Sequence, residues 1–389
     1  MTGGRAAASA TRVLLSCGEA SGDLYAGALV TSLRAMQPSL EARGFGGAQL
    51  AGAGAQVIGD YRGYSVTGLV EALRVLPRSW RMLQTIRDVA RSWKPHVFVA
   101  IDFPDFNFRL LPMMRELGVP IVYYVSPQLW AWRPRRIETI RRYVDRMLVI
   151  FPFEQALYDR AGVPAEFVGH PLIDLAAPLP SREHFLLAQG MDPSRPVLAL
   201  LPGSRPNELR HILPTLADAA ALVAARVPGV QVLVARAPAL ESAGFAALDA
   251  VRASGVPLSI VEGATDAVLA AADAVVTASG TATIQAALHG CPMVVVYRVA
   301  PLTYALGRRV VSVSSYAMVN LVAERQIVAE LIQERFTAAS VADEAVSLLT
   351  DTNRAKAMRR DLADVRTRLG HPGASTRAAE AVLRTALHA

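Results

Sequence analysis

Leu201-Pro-Gly-Ser-Arg-Pro-Asn-Glu-Leu209 marks a junction between a strand and a helix. An apolar run of strand length, 197–201, leads into it, and a helical pattern continues from its last residue to Arg226. Gly203 and Ser204 are therefore expected to form a turn at a helix N-terminus. Glycine lets an anion approach the backbone, the first helical amides can donate to it, and Arg205 adds a charged fork that suits phosphate oxygens.

A second junction of the same kind is Ser279-Gly-Thr-Ala-Thr283. It follows a predicted strand, 274–277, and precedes a helix expected to begin near Ala282. Either turn alone is better explained as an ordinary strand-to-helix turn with a Ser or Thr cap, because such caps are common. Two such turns in one half of the chain, with Arg205 beside the first, favour a diphosphate held between two helix N-termini.

Short apolar runs alternate with helical patterns along both halves of the chain. Strands are predicted over 12–16, 42–45, 96–101, 120–125 and 146–150, and again over 197–201, 231–234, 258–261, 274–277 and 293–296. Helices are predicted between them, including 25–36, 69–93 and 106–117. The alternation predicts an α/β fold with two Rossmann-like, doubly wound parallel domains that face each other across a cleft.

A proline-rich stretch from Asp174 to Pro196 interrupts this alternation. We therefore predict an N-terminal Rossmann-like domain over 1–174, a linker over 175–196 and a C-terminal Rossmann-like domain over 197–350. Only helical patterns follow Ala323. The helices of 351–389 are expected to pack back on the N-terminal domain, by analogy with other chains of this fold.

The composition is that of a well-buried globular protein, since 52% of the residues are hydrophobic and 19% are charged. No apolar run reaches the ~18–20 residues that a membrane-spanning helix needs, and residues 1–10 form no convincing secretion signal. Two cysteines, Cys17 and Cys291, predict no disulfide framework and a reducing compartment. The net charge of +7 indicates anionic partners, although no nucleic-acid-binding module is recognisable.

The loop after the first predicted strand is small and polar. It contains Gly18, Ser21 and Gly22, and it lies at the sheet edge where α/β folds bind ligands. Helix capping by Ser21 or Asp23 explains the same residues equally well.

Asp102 follows the predicted strand at 96–101. A carboxylate beside apolar residues is costly unless it is used or paired, so we interpret Asp102 as a catalytic base. Asn107 is expected to orient Asp102 or a substrate, and Asp105 is expected to be the N-cap of the next helix.

Ser126 and two tryptophans, Trp130 and Trp132, follow another strand end. Five arginines come next, at positions 133, 135, 136, 141 and 142. Tryptophan beside arginine can pack on a sugar or an acyl chain while the cations meet phosphate. Two core tryptophans and a solvated basic helix give the same pattern, but the density of arginine favours an anionic partner.

Apolar residues recur near three- and four-residue spacing between residues 66 and 83, with arginines between them. They are Val66, Leu69, Val70, Leu73, Leu76, Trp80 and Leu83. A basic amphipathic segment with a tryptophan is typical of a helix that lies in a bilayer interface, and Pro77 is expected to kink it. A helix that faces the core gives the same stripe, so this pattern leaves membrane contact and core packing open.

Several chemistries are disfavoured by missing motifs. No histidine spacing fits a metal site, and the absence of a D-x-D pair disfavours the sugar transferases that hold a metal in that way. No G-x-S-x-G elbow and no G-x-G-x-x-G fingerprint occur, which disfavours a serine hydrolase and the binding of NAD or FAD.

Taken together, several segments resemble one family, the lipid-A-disaccharide synthases, which are sugar transferases with the two-domain GT-B fold. The matching segments are 18–23, 101–107, 124–132, 151–154, 168–171, 201–205, 279–281 and 292–298, with Asn320, Glu330 and Gln333 in a further similar stretch. They run in family order from about residue 12 to residue 335. The segment Tyr124-Val-Ser-Pro-Gln-Leu-Trp-Ala-Trp132 is highly specific.

The resemblance implies an inverting transfer from UDP-2,3-diacylglucosamine to 2,3-diacylglucosamine 1-phosphate. The products are a β-1,6-linked lipid A disaccharide 1-phosphate and UDP, formed without a metal or cofactor. The family acts as a peripheral protein on the anionic cytoplasmic face of the inner membrane. The resemblance makes Asp102 the base and implies membrane contact by the 66–83 segment.

The resemblance also assigns two groups of binding residues. The UDP-binding residues are Gly203, Ser204, Arg205, Ser279, Gly280, Thr281 and Gln285. The residues on the substrate and acceptor side are Gly18, Ser21, Gly22, Asn107, Ser126, Trp130, Trp132, Arg298 and Asn320. Gln285 stands where the family usually has a glutamate for the ribose hydroxyls, which places the donor affinity in question.

Two rival functions remain open at this point. One is another GT-B enzyme acting on UDP-GlcNAc, either a cell-wall transferase or a 2-epimerase. The other is a catalytically silent protein of this fold that binds a sugar nucleotide or a lipid; the presence of Asp102 beside Asn107 disfavours it. The sequence is compatible with a homodimer and with other oligomeric states. It sets no preference for a length of acyl chain.

Overall fold

The computed structural model of the chain describes residues 10–62, 64, 69–130, 133–175, 178–238, 240–298 and 315–387, with the backbone alone at 69–75. The chain divides into two compact units. The first comprises Met1–Leu175 and Leu369–Ala389, and the second comprises Ala176–Arg368. Each unit is built around one parallel sheet.

The first unit contains a seven-stranded sheet in the order β3-β2-β1-β4-β5-β6-β7. The strands are β1 (Arg12–Cys17), β2 (Glu41–Gly46), β3 (Gln56–Asp60), β4 (Val97–Ile101), β5 (Ile121–Tyr124), β6 (Arg146–Val149) and β7 (Ala165–Phe167). The central strands are continuous apolar runs because helices cover both faces of a doubly wound sheet. The strand order reverses between β1 and β4, which pair directly.

Helices connect these strands, and one helix returns from the end of the chain. They are α1 (Ala20–Met36), α2 (Ala48–Gly52), α3 (Leu69–Trp93), α4 (Pro104–Glu116), α5 (Ile137–Tyr143), α6 (Pro152–Arg160) and the C-terminal Ala374–Leu387. The C-terminal helix packs against α1. Asp174 holds its N-terminus by accepting hydrogen bonds from the amides of Gly373 (2.6 Å) and Ser375 (2.7 Å).

The second unit contains a six-stranded sheet in the order β10-β9-β8-β11-β12-β13. Its strands are β8 (Val197–Leu201), β9 (Gln231–Arg236), β10 (Leu258–Glu262), β11 (Ala274–Ala278), β12 (Met293–Tyr297) and β13 (Ala329–Ile332). Its helices are α7 (Arg182–Ala188), α8 (Pro206–Arg226), α9 (Asp249–Ala253), α10 (Thr265–Ala271), α11 (Thr281–Leu288), α12 (Met318–Ala323), α13 (Ala338–Thr350) and α14 (Thr352–Arg368). The C-terminal helix of the first unit is α15.

The predicted α/β fold with two doubly wound parallel sheets is confirmed. The expectation that only helices follow Ala323 is wrong, because β13 forms the edge of the second sheet. This strand has four residues, and Glu330 interrupts its apolar pattern. Glu330 is nevertheless buried, since its carboxylate accepts hydrogen bonds from the amides of Tyr316 (2.9 Å) and Ala317 (3.0 Å). The short edge strands β3 and β7 were also missed.

Two further features differ in detail from the expected domain layout. The stretch expected as a linker, 175–196, contains α7, which packs against α10 of the second unit. The two helices of 351–389 belong to different units, since α14 is part of the second unit and α15 is part of the first. The turn between them contains Gly370 and Gly373, both with positive φ.

Candidate functional site

The two predicted phosphate-binding turns lie side by side in the second unit. The first follows β8 and the second follows β11, and these two strands pair in parallel with Leu201 opposite Thr277. Strand order reverses between β8 and β11. Open α/β sheets bind ligands outside the carboxyl ends of their strands at such a reversal.

The first turn is closed by a side chain of its own helix. Glu208 Oε2 accepts hydrogen bonds from the amides of Ser204 (2.9 Å) and Arg205 (3.3 Å), while Oε1 accepts one from Arg205 Nη1 (3.3 Å). Gly203, with φ +115°, precedes these amides. The amides expected to face an anion thus already donate to an internal carboxylate.

The second turn has a different construction. Gly280 (φ +147°) precedes α11, and no side chain among the described residues caps the helix there. The hydroxyl of Ser279 donates to the carbonyl oxygen of Tyr316 (2.7 Å), and Thr283 Oγ1 donates to that of Gly280 (2.8 Å). A Cβ at Gly280 would meet no described atom within 4 Å.

Gln285 lies one turn further along α11. Its Nε2 donates to Asp266 Oδ1 (3.4 Å), and His289 Nε2 lies 2.8 Å from the same oxygen. Asp266 is in the first turn of α10. The residue expected to meet a ribose is therefore linked to a carboxylate on the neighbouring helix.

In the first unit, Asp102 follows β4 in a left-handed backbone conformation (φ 45°). Its carbonyl oxygen accepts hydrogen bonds from Asn107 Nδ2 (2.7 Å) and from the hydroxyl of Tyr123 (2.8 Å), and its amide donates to the carbonyl oxygen of Tyr124 (3.1 Å). Burial, reinforced by the charge of Asp102, raises the pKa of Tyr25 and of Tyr123. The Asp102 carboxylate thus lies close to phenols that stay neutral.

Asn107 is fully buried and joins two strand ends. Its Oδ1 accepts a hydrogen bond from the hydroxyl of Ser16 (2.7 Å), and its Nδ2 also approaches the carbonyl oxygens of Ser16 (3.3 Å) and Ile101 (3.4 Å). These contacts fit one of the two roles expected for Asn107, the orientation of Asp102.

The loop after β1 packs closely against the residue that follows Asp102. A Cβ at Gly18 would meet the nearest ring carbon of Phe103 at 2.0 Å, and a Cβ at Gly22 would lie 3.8 Å from the carbonyl oxygen of Ile101. Ser21 is half-buried in the first turn of α1. Asp23 is buried and accepts hydrogen bonds from the amides of 47, 49 and 50, so it caps α2 and not its own helix.

Asp105 was expected to be the N-cap of α4, and this expectation is wrong. The cap is Phe103, and Asp105 lies in the first turn because the helix begins at Pro104. Asp105 is an ion-pair partner of Arg133 (2.9 Å) and Arg136. Part of the arginine cluster is therefore balanced by a carboxylate of the chain itself.

Glu154, on α6, has a buried carboxyl group to which the sequence assigned no role. Glu154 accepts hydrogen bonds from Trp130 Nε1 (3.3 Å) and from the amide of Phe151 (3.3 Å). Ser126, also buried, hydrogen bonds with the hydroxyl of Tyr158 (2.7 Å). Burial raises the pKa of Glu154 to about 8, although these hydrogen bonds act against it. Trp132 lies outside the described residues.

Arg298 and Asn320 both belong to the second unit and hydrogen bond with backbone and side-chain groups of that unit. Arg298 donates to Thr215 Oγ1 (3.0 Å) and to the carbonyl oxygen of Phe336. Asn320 Oδ1 accepts from the amides of Ile327 (2.8 Å) and Val328 (3.0 Å), and its Nδ2 donates to Glu330 (2.7 Å). The contacts of Asn320 hold the loop that leads into β13.

Only part of the expected membrane segment can be described. Leu76 and Trp80 lie on α3 and are exposed, at 43% and 58% of their surfaces, and Arg78 stacks on the ring of Tyr64 (4.5 Å). Val66 lies outside the described residues, as do the side chains of Leu69, Val70 and Leu73. Over the described ranges, no helix combines the length and the apolar character needed to cross a membrane.

Within the same ranges, no three His, Cys, Asp or Glu side chains come together in a way that could hold a metal ion.

Comparison with known proteins identifies the family. The model of the lipid-A-disaccharide synthetase family matches residues 13–385. The lipid-A-disaccharide synthase of Myxococcus xanthus is 43% identical over 372 residues, which are 96% of this chain and 97% of that protein. That of Koribacter versatilis is 42% identical over 377 residues, covering 97% and 98%. The chain belongs to the lipid-A-disaccharide synthase family.

Family membership confirms the expected function at the level of a glycosyltransferase of lipid A biosynthesis. Solved structures confirm the GT-B fold. UDP-GlcNAc 2-epimerase from Neisseria meningitidis, bound to UDP-GlcNAc, matches 96% of this chain and all of its own, with a TM-score of 0.66 and 11% identity. A UDP-glucosyltransferase from Polygonum tinctorium matches 98% of this chain and all of its own, with a TM-score of 0.66 and 15% identity. Fold alone does not separate transferase from epimerase, whereas the sequence relatives do.

Proposed function

We propose that this family member transfers 2,3-diacylglucosamine from UDP to the 6-hydroxyl of 2,3-diacylglucosamine 1-phosphate. The products are the β-1,6-linked disaccharide 1-phosphate and UDP, with inversion at the anomeric carbon. The observation that carries the proposal is the adjacency of the two turns after β8 and β11, within a chain of this family.

The second unit supplies the donor site in this proposal. The N-terminus of α11, at Gly280 and Thr281, faces the diphosphate, and the Arg205 guanidinium neutralises charge as UDP departs. The N-termini of α8 and α11 and the Arg205 guanidinium thus act where other transferases use a metal ion. Ser279 shapes the turn through its bond to the carbonyl oxygen of Tyr316. Gln285 reaches the ribose together with Asp266, to which it is already linked.

The first unit supplies the base. As the acceptor 6-oxygen attacks the anomeric carbon, its proton passes to the Asp102 carboxylate and the bond to the UDP oxygen breaks. The backbone carbonyl oxygen of Asp102 accepts hydrogen bonds from Asn107 and Tyr123, which fixes the position from which the carboxylate extends. Trp130, Ser126 and the loop at 18–22 line the acceptor side.

We also propose that the protein works as a peripheral protein on the cytoplasmic face of the inner membrane. Leu76 and Trp80 are exposed on a helix that also carries Arg78 and Arg81, the pattern of a segment in contact with an anionic lipid surface. Both substrates carry acyl chains, so the enzyme has to meet them at that surface.

The test is a transfer assay in detergent with both proposed substrates and EDTA. Wild-type protein is expected to form the disaccharide, and Asp102→Asn to lose a factor of several hundred or more, on the order of 10²–10⁴, as when a general base is removed. Asp159→Asn, the same change at an exposed position of the first unit, is expected to keep wild-type activity.

Each adverse outcome has a separate meaning. No product from a wild-type protein that still binds UDP contradicts the transfer and favours a binding protein or another donor. Product from an active Asp102→Asn variant leaves the transfer in place and removes Asp102 as the base.

A further inference from the structure

Glu208 occupies the turn in which the donor diphosphate is proposed to bind. Its two carboxylate oxygens accept three hydrogen bonds there, from two turn amides and the Arg205 guanidinium. The Glu208 side chain is only 16% exposed. These amides and this guanidinium are the groups that a phosphate would engage at a helix N-terminus.

The shape of the turn is adapted to this carboxylate. A Cβ at Gly203 would lie 2.7 Å from Glu208 Cβ and 2.4 Å from Glu208 Oε2, so only glycine leaves room for it. The neighbouring turn at Gly280 has no such carboxylate bound to its amides, since no described side chain caps α11. The two halves of the same proposed site therefore differ in charge before any nucleotide arrives.

We propose that Glu208 is an internal anion that competes with the nucleotide diphosphate for the turn amides and for Arg205. It lowers the affinity of the site for UDP and promotes the release of UDP after transfer. The inference rests on the proposed function, because that function places the diphosphate at this turn.

Competition follows from charge in either of two geometries. If the diphosphate displaces Glu208, the amides and Arg205 exchange one anion for another. The favourable free energy of UDP binding is then smaller. If Glu208 stays, its negative charge lies close to that of the phosphates, which repel it in a partly buried setting. Both geometries predict that neutralising Glu208 tightens the binding of a ligand with a diphosphate.

An ordinary helix cap is the competing explanation for Glu208. Its contacts with the amides of Ser204 and Arg205 form the capping arrangement of α8. A residue that only caps the helix contributes to stability, and its neutralisation leaves the affinity for UDP unchanged. Affinity and stability therefore separate the two explanations.

The experiment measures UDP and uridine binding by calorimetry to wild-type protein, Glu208→Gln and Glu208→Asp. Glutamine keeps the size and one acceptor oxygen but removes the charge, so UDP is expected to bind about tenfold more tightly, with uridine unchanged. Aspartate keeps the charge but is one methylene shorter, so its hydrogen bonds with the turn amides are expected to weaken. UDP is then expected to bind about two- to threefold more tightly.

Glu183→Gln is the matched control. Glu183 lies in the first turn of α7 in the same unit and is exposed, so its neutralisation is expected to change neither affinity. Thermal unfolding of each variant without ligand records the loss of the cap. In the transfer assay, Glu208→Gln is expected to show stronger product inhibition by UDP, again by about tenfold.

UDP affinity that is unchanged or weaker in both Glu208 variants overturns the proposal and leaves Glu208 as a cap. Tightening of uridine as much as UDP also overturns it, because the effect then does not involve the diphosphate. Failure of the wild-type protein to bind UDP at all contradicts the donor site of the proposed function, a result distinct from the other two.

Discussion

In the turns that follow their central strands, at their carboxyl edges, the two sheets have different residue types at positions of positive φ. In the first unit, the left-handed positions Asp102 (φ 45°), Phe103 (φ 48°) and Val125 (φ 66°) all carry side chains. In the second, the positive-φ residues in the turns after β8 and β11 are Gly203 and Gly280, although Gln333 (φ 52°), directly after β13, carries a side chain. A non-glycine residue in this region costs of order 1–3 kcal/mol and persists only where its surroundings hold it.

The difference follows from which part of the residue performs the proposed chemistry. At the first edge a side chain, Asp102, is the proposed base, so glycine cannot replace it and buried partners must hold the strain. At the second edge the groups offered to a phosphate are backbone amides, and glycine keeps the approach to them open. The first edge is therefore expected to depend on buried polar partners and the second on small size.

The largest effect is expected from Asn107→Ala. This change removes the amide that holds the carbonyl oxygen of Asp102 and leaves the buried hydroxyl of Ser16 without its acceptor. Buried groups left unpaired cost ~1–3 kcal/mol each, so the free energy of unfolding is expected to fall by about 3 kcal/mol or more. Denaturant unfolding measures it, with Asn353→Ala, at an exposed position, expected to stay within about 0.5 kcal/mol of wild type.

Asn107→Ala with wild-type stability contradicts the view that buried partners hold the first edge. Near-normal stability together with a large loss of activity gives Asn107 a direct role at the substrate instead.

Sequence patterns located the strand ends well, and for a physical reason. Asp102, Gly203 and Ser279 each follow an apolar run that becomes a buried central strand, and such runs are visible without any tertiary information. The parallel order of β8 and β11 then brings two distant turns together, as their repeated motif predicted.

The direction of side chains could not be predicted in this way. Asn107, the fourth residue of α4, was expected to orient Asp102 or a substrate, and its side-chain amide hydrogen bonds inside the fold. The spacing of Arg205 and Glu208 is that of a capping box, and this signal could have revealed the occupied turn. The strand β13 lacked an apolar run because its Glu330 is satisfied by amides elsewhere in the chain.

The next effect in size concerns the two glycines. Alanine at Gly203 adds backbone strain and a clash with Glu208, whereas alanine at Gly280 adds strain with no described atom within 4 Å. We expect a loss of unfolding free energy of about 2–4 kcal/mol for Gly203→Ala and about 1–3 kcal/mol for Gly280→Ala. Denaturant unfolding of both single variants measures the difference.

Adding Glu208→Ala to each variant tests the cause. The double variant at 203 is expected to recover about 1 kcal/mol relative to the sum of its single changes, because the clash with the Glu208 carboxylate is gone while the 2.7 Å contact with its Cβ remains. The double variant at 280 serves as the control and is expected to be additive. Equal coupling at both glycines contradicts the distinction between a filled turn and an open one.

The smallest effect concerns the carboxyl groups of the two edges. Glu208 is paired with Arg205, whereas the hydrogen bonds that Glu154 accepts come from the neutral groups of Trp130 and Phe151. Burial raises the pKa of Glu154 to about 8, from an ordinary value of 4.5. The folded protein therefore binds this proton more tightly than the unfolded chain does. The stability that Glu154 contributes is complete below pH 4.5 and is lost as the pH rises through 8.

Glu154→Gln removes this titration, so its stability relative to wild type is expected to rise by about 1 kcal/mol or more between pH 5.5 and pH 8.5. Glutamine can accept only one of the two hydrogen bonds, which adds an offset that does not depend on pH. His170, whose pKa burial lowers to about 3, titrates in both proteins and cancels from the difference. Glu116→Gln, at an exposed position of the first unit, is the control. A difference that stays constant across this range means that Glu154 is ionised in the folded protein, and it contradicts the contrast between Glu154 and the charged Glu208.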